Sequence, residues 1–513
     1  MLCTFEIMFD IILEEKSLKI SRRGNFIMKK SLFKNTIYKA LLSFVNIVIP
    51  LLVGPYVVKL LDVELYGIYN TVYAEFQVFL IFASFGLYTF GMREISKIRN
   101  DKEKVSQLFS NLFIISIISN LLVGLIYLLY SFATSSGMAL ALYLIMTIQI
   151  VGNIFYIEFV NEALENYKFI TIKTVVVKIL YLISIFMFIK NPEDIAIYAI
   201  IVSLVNFVNN ILSFIYAKKH IKFDFKNLKF KKYISPLIVI LIITNIELLY
   251  GQLDRVMLGK FVDGVSVSMY YIPYYLISTL AAIPYSIINV SIPRLSYIVA
   301  NESKENYVNA LNKIISSLMF IIIPMCLGVF VLAHEVIYLY AGDKYLACIP
   351  TLMISCILRI FLSTESVLTN LVMYPNNREK TLLKFSFGCG VLNLLLNSLL
   401  VVFGILSPLT AMATTMVAEI VLITIEYIYI NKKLELKPKF ISKQNLRYII
   451  LSLLFIPISL LVKYINFGFY INILVIMALC VLLYVGVLMI LKDENLILIK
   501  NKIFGIVRRR KNG

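Results

Sequence analysis

Apolar residues along this chain fall into fourteen long runs separated by short polar gaps, and none of the runs alternates with period two. The runs cover residues 36–58, 66–92, 108–130, 138–160, 170–189, 195–217, 235–258, 266–292, 309–333, 346–373, 385–403, 409–430, 446–462 and 469–491. A helix of about 20 apolar residues crosses a hydrocarbon layer of about 30 Å. Inside that layer each segment must satisfy its own N–H and C=O groups, which a helix does. The missing alternation excludes a transmembrane barrel. The pattern predicts an all-α membrane protein of about 14 transmembrane helices.

Composition agrees, with 60% hydrophobic and 15% charged residues and a mean hydropathy of +0.87. The placement of charge adds orientation. Thirty-six Lys and Arg lie in, or at the helix ends bordering, one set of alternate gaps and the two ends of the membrane region. The opposite set holds five: Lys59, Lys190, Lys260, Lys344 and Lys463. This asymmetry predicts that both termini face the cytoplasm. The formal charge of +19 is thus a topology signal, together with attraction of membrane lipids to Lys218–Lys232 and Arg508–Lys511. Nucleic acid is excluded as a partner, because the cations are spread over many short loops rather than gathered into one patch.

Several chemistries drop out. The six cysteines form no CxxC pair, and His220 and His334 stand at opposite faces, so neither a metal site nor a histidine-based nucleophile is expected. No GxxxxGK[ST] run is present, so the chain has no P-loop. The outer gaps, such as the uncharged Ser131–Gly137 and Gly404–Pro408, leave no room for an aqueous enzyme domain. The expectation is a non-enzyme without cofactor, with a proton or sodium ion as candidate coupling ion. Met1–Gly24 lacks a signal-peptide pattern, whereas Met28-Lys29-Lys30 reads as a cytoplasmic start, so residues 1–28 are expected to be an extension whose translation is open.

An offset of 201 residues carries Lys59, Asp62, Tyr69 and Arg93 onto Lys260, Asp263, Tyr270 and Arg294 in matching contexts. An even number of spans separates the copies, so they share orientation, as parallel transporter repeats do. At this point Leu65-Tyr66-Gly67-Ile68-Tyr69, Gly91-Met92-Arg93-Glu94-Ile95-Ser96-Lys97-Ile98-Arg99 and Gln252-Leu253-Asp254-Arg255-Val256-Met257-Leu258-Gly259 become informative. Together they resemble the bacterial polysaccharide transporter family, the O-antigen and capsule flippases of the multidrug/oligosaccharidyl-lipid/polysaccharide exporter superfamily. The resemblance covers about residues 29–490. It implies a fold similar to the multidrug and toxic compound extrusion transporters: an N-terminal six-helix bundle (29–217), a basic cytoplasmic linker (218–232), a second bundle (233–431), two added helices (432–491) and a basic tail (492–513). It also implies a substrate, an oligosaccharide on undecaprenyl diphosphate, flipped by alternating access for cell-surface polysaccharide synthesis. Glycosyltransferases and a polymerase of the same pathway would be partners. The alternatives are a cation-coupled multidrug exporter of the same fold and a membrane polysaccharide polymerase.

A diphosphate head needs a wet, partly cationic path, so ionisable groups at membrane depth are the candidate site, each being costly there without a partner or water. These are Glu247, Asp254 and Arg255 in the seventh span, Arg359 and Glu365 in the tenth, and Glu75 in the second. Arg255 and Arg359 are the candidate anion contacts, Arg359 and Glu365 being too far round the helix to pair. Glu158 and Lys178 are expected to form a structural pair, Glu426 to be solvated, and Tyr270, Tyr271, Tyr274 and Tyr275 to serve as interfacial belt in a chain without Trp. No charge lies between Lys39 and Lys59, so a charged first-helix site as in lipid II flippases is not carried over.

Overall fold

The computed structural model describes residues 25–225 and 228–501. The N-terminal extension up to Gly24, on which the question of the start turns, and the run Arg508–Lys511 lie outside the described residues. Among the described residues every regular element is a helix. In chain order these are α1 (Asn25–Leu60), α2 (Val63–Ser84), α3 (Leu87–Ile98), α4 (Lys102–Thr134), α5 (Gly137–Asn153), α6 (Glu158–Ala163), α7 (Tyr167–Phe188), α8 (Ile195–His220), α9 (Phe230–Gly251) and α10 (Leu253–Phe261). There follow α11 (Gly264–Asn301), α12 (Lys304–Val331), α13 (Ala333–Ala341), α14 (Ile349–Val367), α15 (Glu379–Val402), α16 (Pro408–Tyr429), α17 (Lys443–Leu453), α18 (Phe455–Ile465) and α19 (Phe469–Ile490).

Twelve helical segments among the described residues are long and apolar enough to span a membrane. Adding the apolar Phe44–Leu60 of α1 and the 22-residue α9 accounts for all fourteen runs. Several runs are interrupted rather than straight. Phe85 and Gly86 both take positive φ between α2 and α3, and a β-carbon on Gly86 would come within 2.9 Å of the Leu237 carbonyl of α9. Pro273, Pro284 and Pro293 lie within α11, where each removes a backbone donor, a loss that neighbouring helices make tolerable in a membrane.

The chain divides within α11, at Ser268/Met269, into two compact units. In the first, α2 packs on α4 and α5, α1 on α7, α5 on α8, and α10 on α2. One end of this unit is a cluster of buried aromatic and aliphatic side chains from α3, α4, α6 and α8, including Phe90, Phe109, Phe159 and Leu112. In the second, α14 and α15 pack on α16, α14 on α12, and α17 and α18 on α12. The last helices are anchored by polar bonds: Tyr448 donates to Asp493 (2.9 Å), Asn495 to Ser316 (3.1 Å), and Lys463 to the Val331 carbonyl and Glu335 (both 3.0 Å).

The internal repeat has a physical counterpart. Asp62 accepts from the N–H groups of Glu64 (2.9 Å) and Leu65 (3.0 Å) and so caps α2. Its partner Asp263 accepts from Ser266 N–H (2.6 Å) at the start of α11. Both follow a helix that ends near a Lys, Lys59 or Lys260. The two equivalent helix starts pack together: Ser268 donates to the Val63 carbonyl (2.7 Å), and Gly67 leaves no room for a β-carbon against Gly264.

Candidate functional site

In the second unit, Arg359 sits on α14 and is 6% exposed. Its guanidinium donates to Ser278 Oγ and, at 3.5 Å, to the Tyr285 hydroxyl, both on α11. It lies 5.5 Å from the ring centre of Tyr274 and 5.9 Å from that of Tyr285. Pro273 and Pro284 bracket the stretch that carries these three partners. No carboxylate among the described residues forms an ion pair with Arg359, and its Nε–H has no acceptor there. Aromatic faces and hydroxyls stabilise the cation without neutralising it. The polar partners of this guanidinium among the described residues are therefore hydroxyls rather than carboxylates.

Glu365, on the same helix, does not pair with Arg359. It accepts from Thr369 Oγ1 (2.5 Å), whose oxygen also lies 3.3 Å from a carboxylate oxygen of Glu426 on α16. Thr369 falls in the π-helical turn Leu368–Met373, which extends α14 by a non-α register and swings this hydroxyl towards Glu426. Glu426 is fully buried, so the expectation that it is solvated is corrected. Its position near a span end suggested water; packing of α16 against α14 removes it.

In the first unit, Glu75 is buried on α2. It accepts from the hydroxyls of Tyr130 (2.6 Å) and Tyr143, and Lys260 approaches it at 3.2 Å. Asp254 and Arg255 are buried on α10, where Arg255 donates to Gln252, the residue at which the seventh span breaks. Tyr73 of α2 lies within the field of Arg255. Glu247 lies outside the residues whose side chains are described. The structural pair at Glu158 is also corrected: its partner is Lys173 (2.9 Å), not Lys178, with Ser213 bonded to both. Lys178 is five residues on, about 140° round the helix from Lys173, and so faces elsewhere.

The sequence reading missed Tyr73, Tyr274, Ser278 and Tyr285. A signal for two of them was present: the 201-residue offset that relates Tyr69 to Tyr270 also carries Tyr73 onto Tyr274, the ring that Arg359 approaches. Tyr274 is thus turned to Arg359 rather than serving only as interfacial belt.

Two bundles' worth of membrane helices, related by a parallel repeat and carrying buried cations, define a transporter of the multidrug/oligosaccharidyl-lipid/polysaccharide exporter fold. Solved structures agree. The lipid II flippase MurJ in an inward closed conformation superposes with a TM-score of 0.68 at 17% identity, over 90% of this chain and 100% of that one. An inward-facing multidrug resistance transporter of the MATE family gives 0.56 at 11%, over 82% and 96%. The family model described as polysaccharide biosynthesis protein matches residues 32–299, and the chain belongs to that family of polysaccharide transporters. A protein of Escherichia coli (strain K12) named for O-antigen transport is 25% identical over 411 residues, 78% of this chain and 94% of its own length. A Shigella dysenteriae protein of the same name is 21% identical over 373 residues, 71% and 91% of the two chains.

Proposed function

We propose that this protein flips an oligosaccharide linked to undecaprenyl diphosphate from the inner to the outer leaflet of the bacterial cytoplasmic membrane, by alternating access between two six-helix bundles. The observation that carries the reading is Arg359, a buried cation held by Ser278, Tyr274 and Tyr285 without a carboxylate partner among the described residues. A multidrug exporter handling cations would be served poorly by such a charge. A diphosphate would be served well, because a guanidinium already desolvated and oriented loses little on binding it. The names of the relatives, O-antigen transport and lipid II flipping, support the same substrate class. Arg255, with Asp254, is the second anion contact, and Glu75 in the first unit and Glu365 in the second are further substrate-contact residues of their own units. Both termini face the cytoplasm, and pathway glycosyltransferases supply the substrate there.

Arg359→Ala should lower flipping in reconstituted vesicles at least tenfold at unchanged protein level. Arg359→Lys should keep part of the activity, since charge remains while the planar fork is lost. Full activity of the Ala variant would remove Arg359 from the mechanism. Loss of folded protein in both variants would make it structural.

A further inference from the structure

A second cationic feature lies in the first unit, at the ends of four helices. Arg99 follows the last residue of α3, Lys102 begins α4, Asn166 precedes α7, and His220 ends α8. With Val105, Leu164 and Ile221 they line a cavity of about 260 Å³. Its floor is firm, because Val105 and Ile221 belong to the buried aromatic and aliphatic cluster and Leu164 packs against it. That volume is just below the range of sites for drug-sized ligands, so it suits a headgroup rather than an oligosaccharide.

The polar groups around the cavity are only partly used. Arg99 spends one guanidinium nitrogen on Glu165 (2.5 Å), leaving the others. Asp101 and Glu103 flank Lys102 in sequence; Asp101 is engaged by Lys104 (2.8 Å), and among the described residues Lys102 has no ion pair. Asn166 occupies the N-cap position of α7, where its carbonyl accepts from Ile170 N–H (3.1 Å) while its side chain makes no cap hydrogen bond. His220 lines the cavity with its ring in T-shaped contact with Tyr216, the ring centres 4.9 Å apart. Two cations, an amide and an imidazole lining one small cavity have the chemistry of a phosphate receptor. Glu165 neutralises one of the two cations and leaves the other.

We propose that this cavity binds the phosphate or diphosphate head of an anionic lipid in the leaflet facing the cytoplasm. Its side of the membrane follows from the Lys and Arg asymmetry, and the inference does not depend on the role of Arg359. Two sources share this chemistry: a prenyl diphosphate arriving for transport and an acidic phospholipid.

The test uses the full chain with Arg359→Ala, so that binding at that arginine is absent. In detergent, farnesyl diphosphate is titrated calorimetrically. In nanodiscs, phosphatidylglycerol retained by the protein is counted by native mass spectrometry. Arg99→Gln with Lys102→Gln should weaken one of these at least tenfold, while Lys102→Arg preserves it and Lys104→Gln, outside the cavity, leaves it unchanged. Loss of farnesyl diphosphate binding identifies the transport substrate as the source; loss of retained phosphatidylglycerol identifies the phospholipid. The proposal is overturned if neither probe responds to the double variant, or if Lys104→Gln weakens binding equally. Thermal unfolding of each variant confirms that it is folded. Failure here leaves the flipping result for Arg359 untouched, and the converse also holds.

Discussion

Arg359 and Lys173 are both cations buried at membrane depth, and their neighbours give them opposite roles. Lys173 meets a carboxylate and a serine hydroxyl and so closes a neutral, satisfied cluster. Removing one member strands the other: Lys173→Met should destabilise the protein by about 3–5 kcal/mol through the unpaired Glu158. Lys178→Met should change stability by about 0.5 kcal/mol or less. Thermal unfolding in detergent distinguishes the two, and equal effects would contradict the pairing. Hydropathy alone could not choose between the lysines, which stand five residues apart on α7; the choice depends on which face of α7 meets α8. Asp194 offers a pH test outside the membrane. The N–H groups of Lys190 and Asn191, each donating at 2.8 Å, hold its carboxyl below the usual carboxylate range. A lowered folded value means that its stabilisation is present above the unfolded value, about pH 3.9, and is lost as pH falls through the folded one. The stability advantage over Asp194→Asn should therefore be seen at pH 7 and shrink below about pH 4.

At the scale of the elements, the repeat shows what a sequence pattern can and cannot convey. Asp62 and Asp263 were legible as equivalent positions, and an Asp beside a span end is a natural N-cap. That the two capped starts touch, with Gly67 against Gly264, was not legible, because two positions at one offset carry no distance. A β-carbon at Gly264 would fall 2.7 Å from the Glu64 carbonyl and 3.3 Å from Ile68. Gly67→Ala and Gly264→Ala should each destabilise by about 1–3 kcal/mol through overpacking. Gly328→Ala, on α12 with open space around it, should be neutral or stabilising. Unchanged unfolding of Gly67→Ala would show that the contact yields at little cost.

At the scale of the whole molecule, the charge asymmetry makes a prediction independent of packing. In a cysteine-free background, single cysteines replacing the exposed Glu193 or Lys344 should react with an impermeant thiol reagent on intact cells. Cysteines replacing the exposed Lys219 or Lys380 should react only after permeabilisation. Labelling of residue 219 on intact cells would reverse the map. The native Cys348 is a poor reporter, since the short 3-10 turn Asp343–Cys348 buries its side chain.

The sequence by itself determined the helical class and the fourteen runs, because lipid imposes a length and a hydropathy on each segment that composition records directly, while the family was legible only as a resemblance carried by particular motifs. It also singled out Arg359, since a cation inside an apolar run is visible without a structure. Tertiary structure alone decided which partners each buried charge has. Tyr274, Ser278 and Tyr285 reach Arg359 from a helix that contains three prolines, Thr369 reaches Glu426 through a π-turn, and Arg99, Lys102, Asn166 and His220 share one cavity although 121 positions separate the first from the last. The physical reason is that hydropathy fixes depth along a helix, whereas contacts depend on rotation about its axis and on breaks in its register, and these are set by packing against other helices.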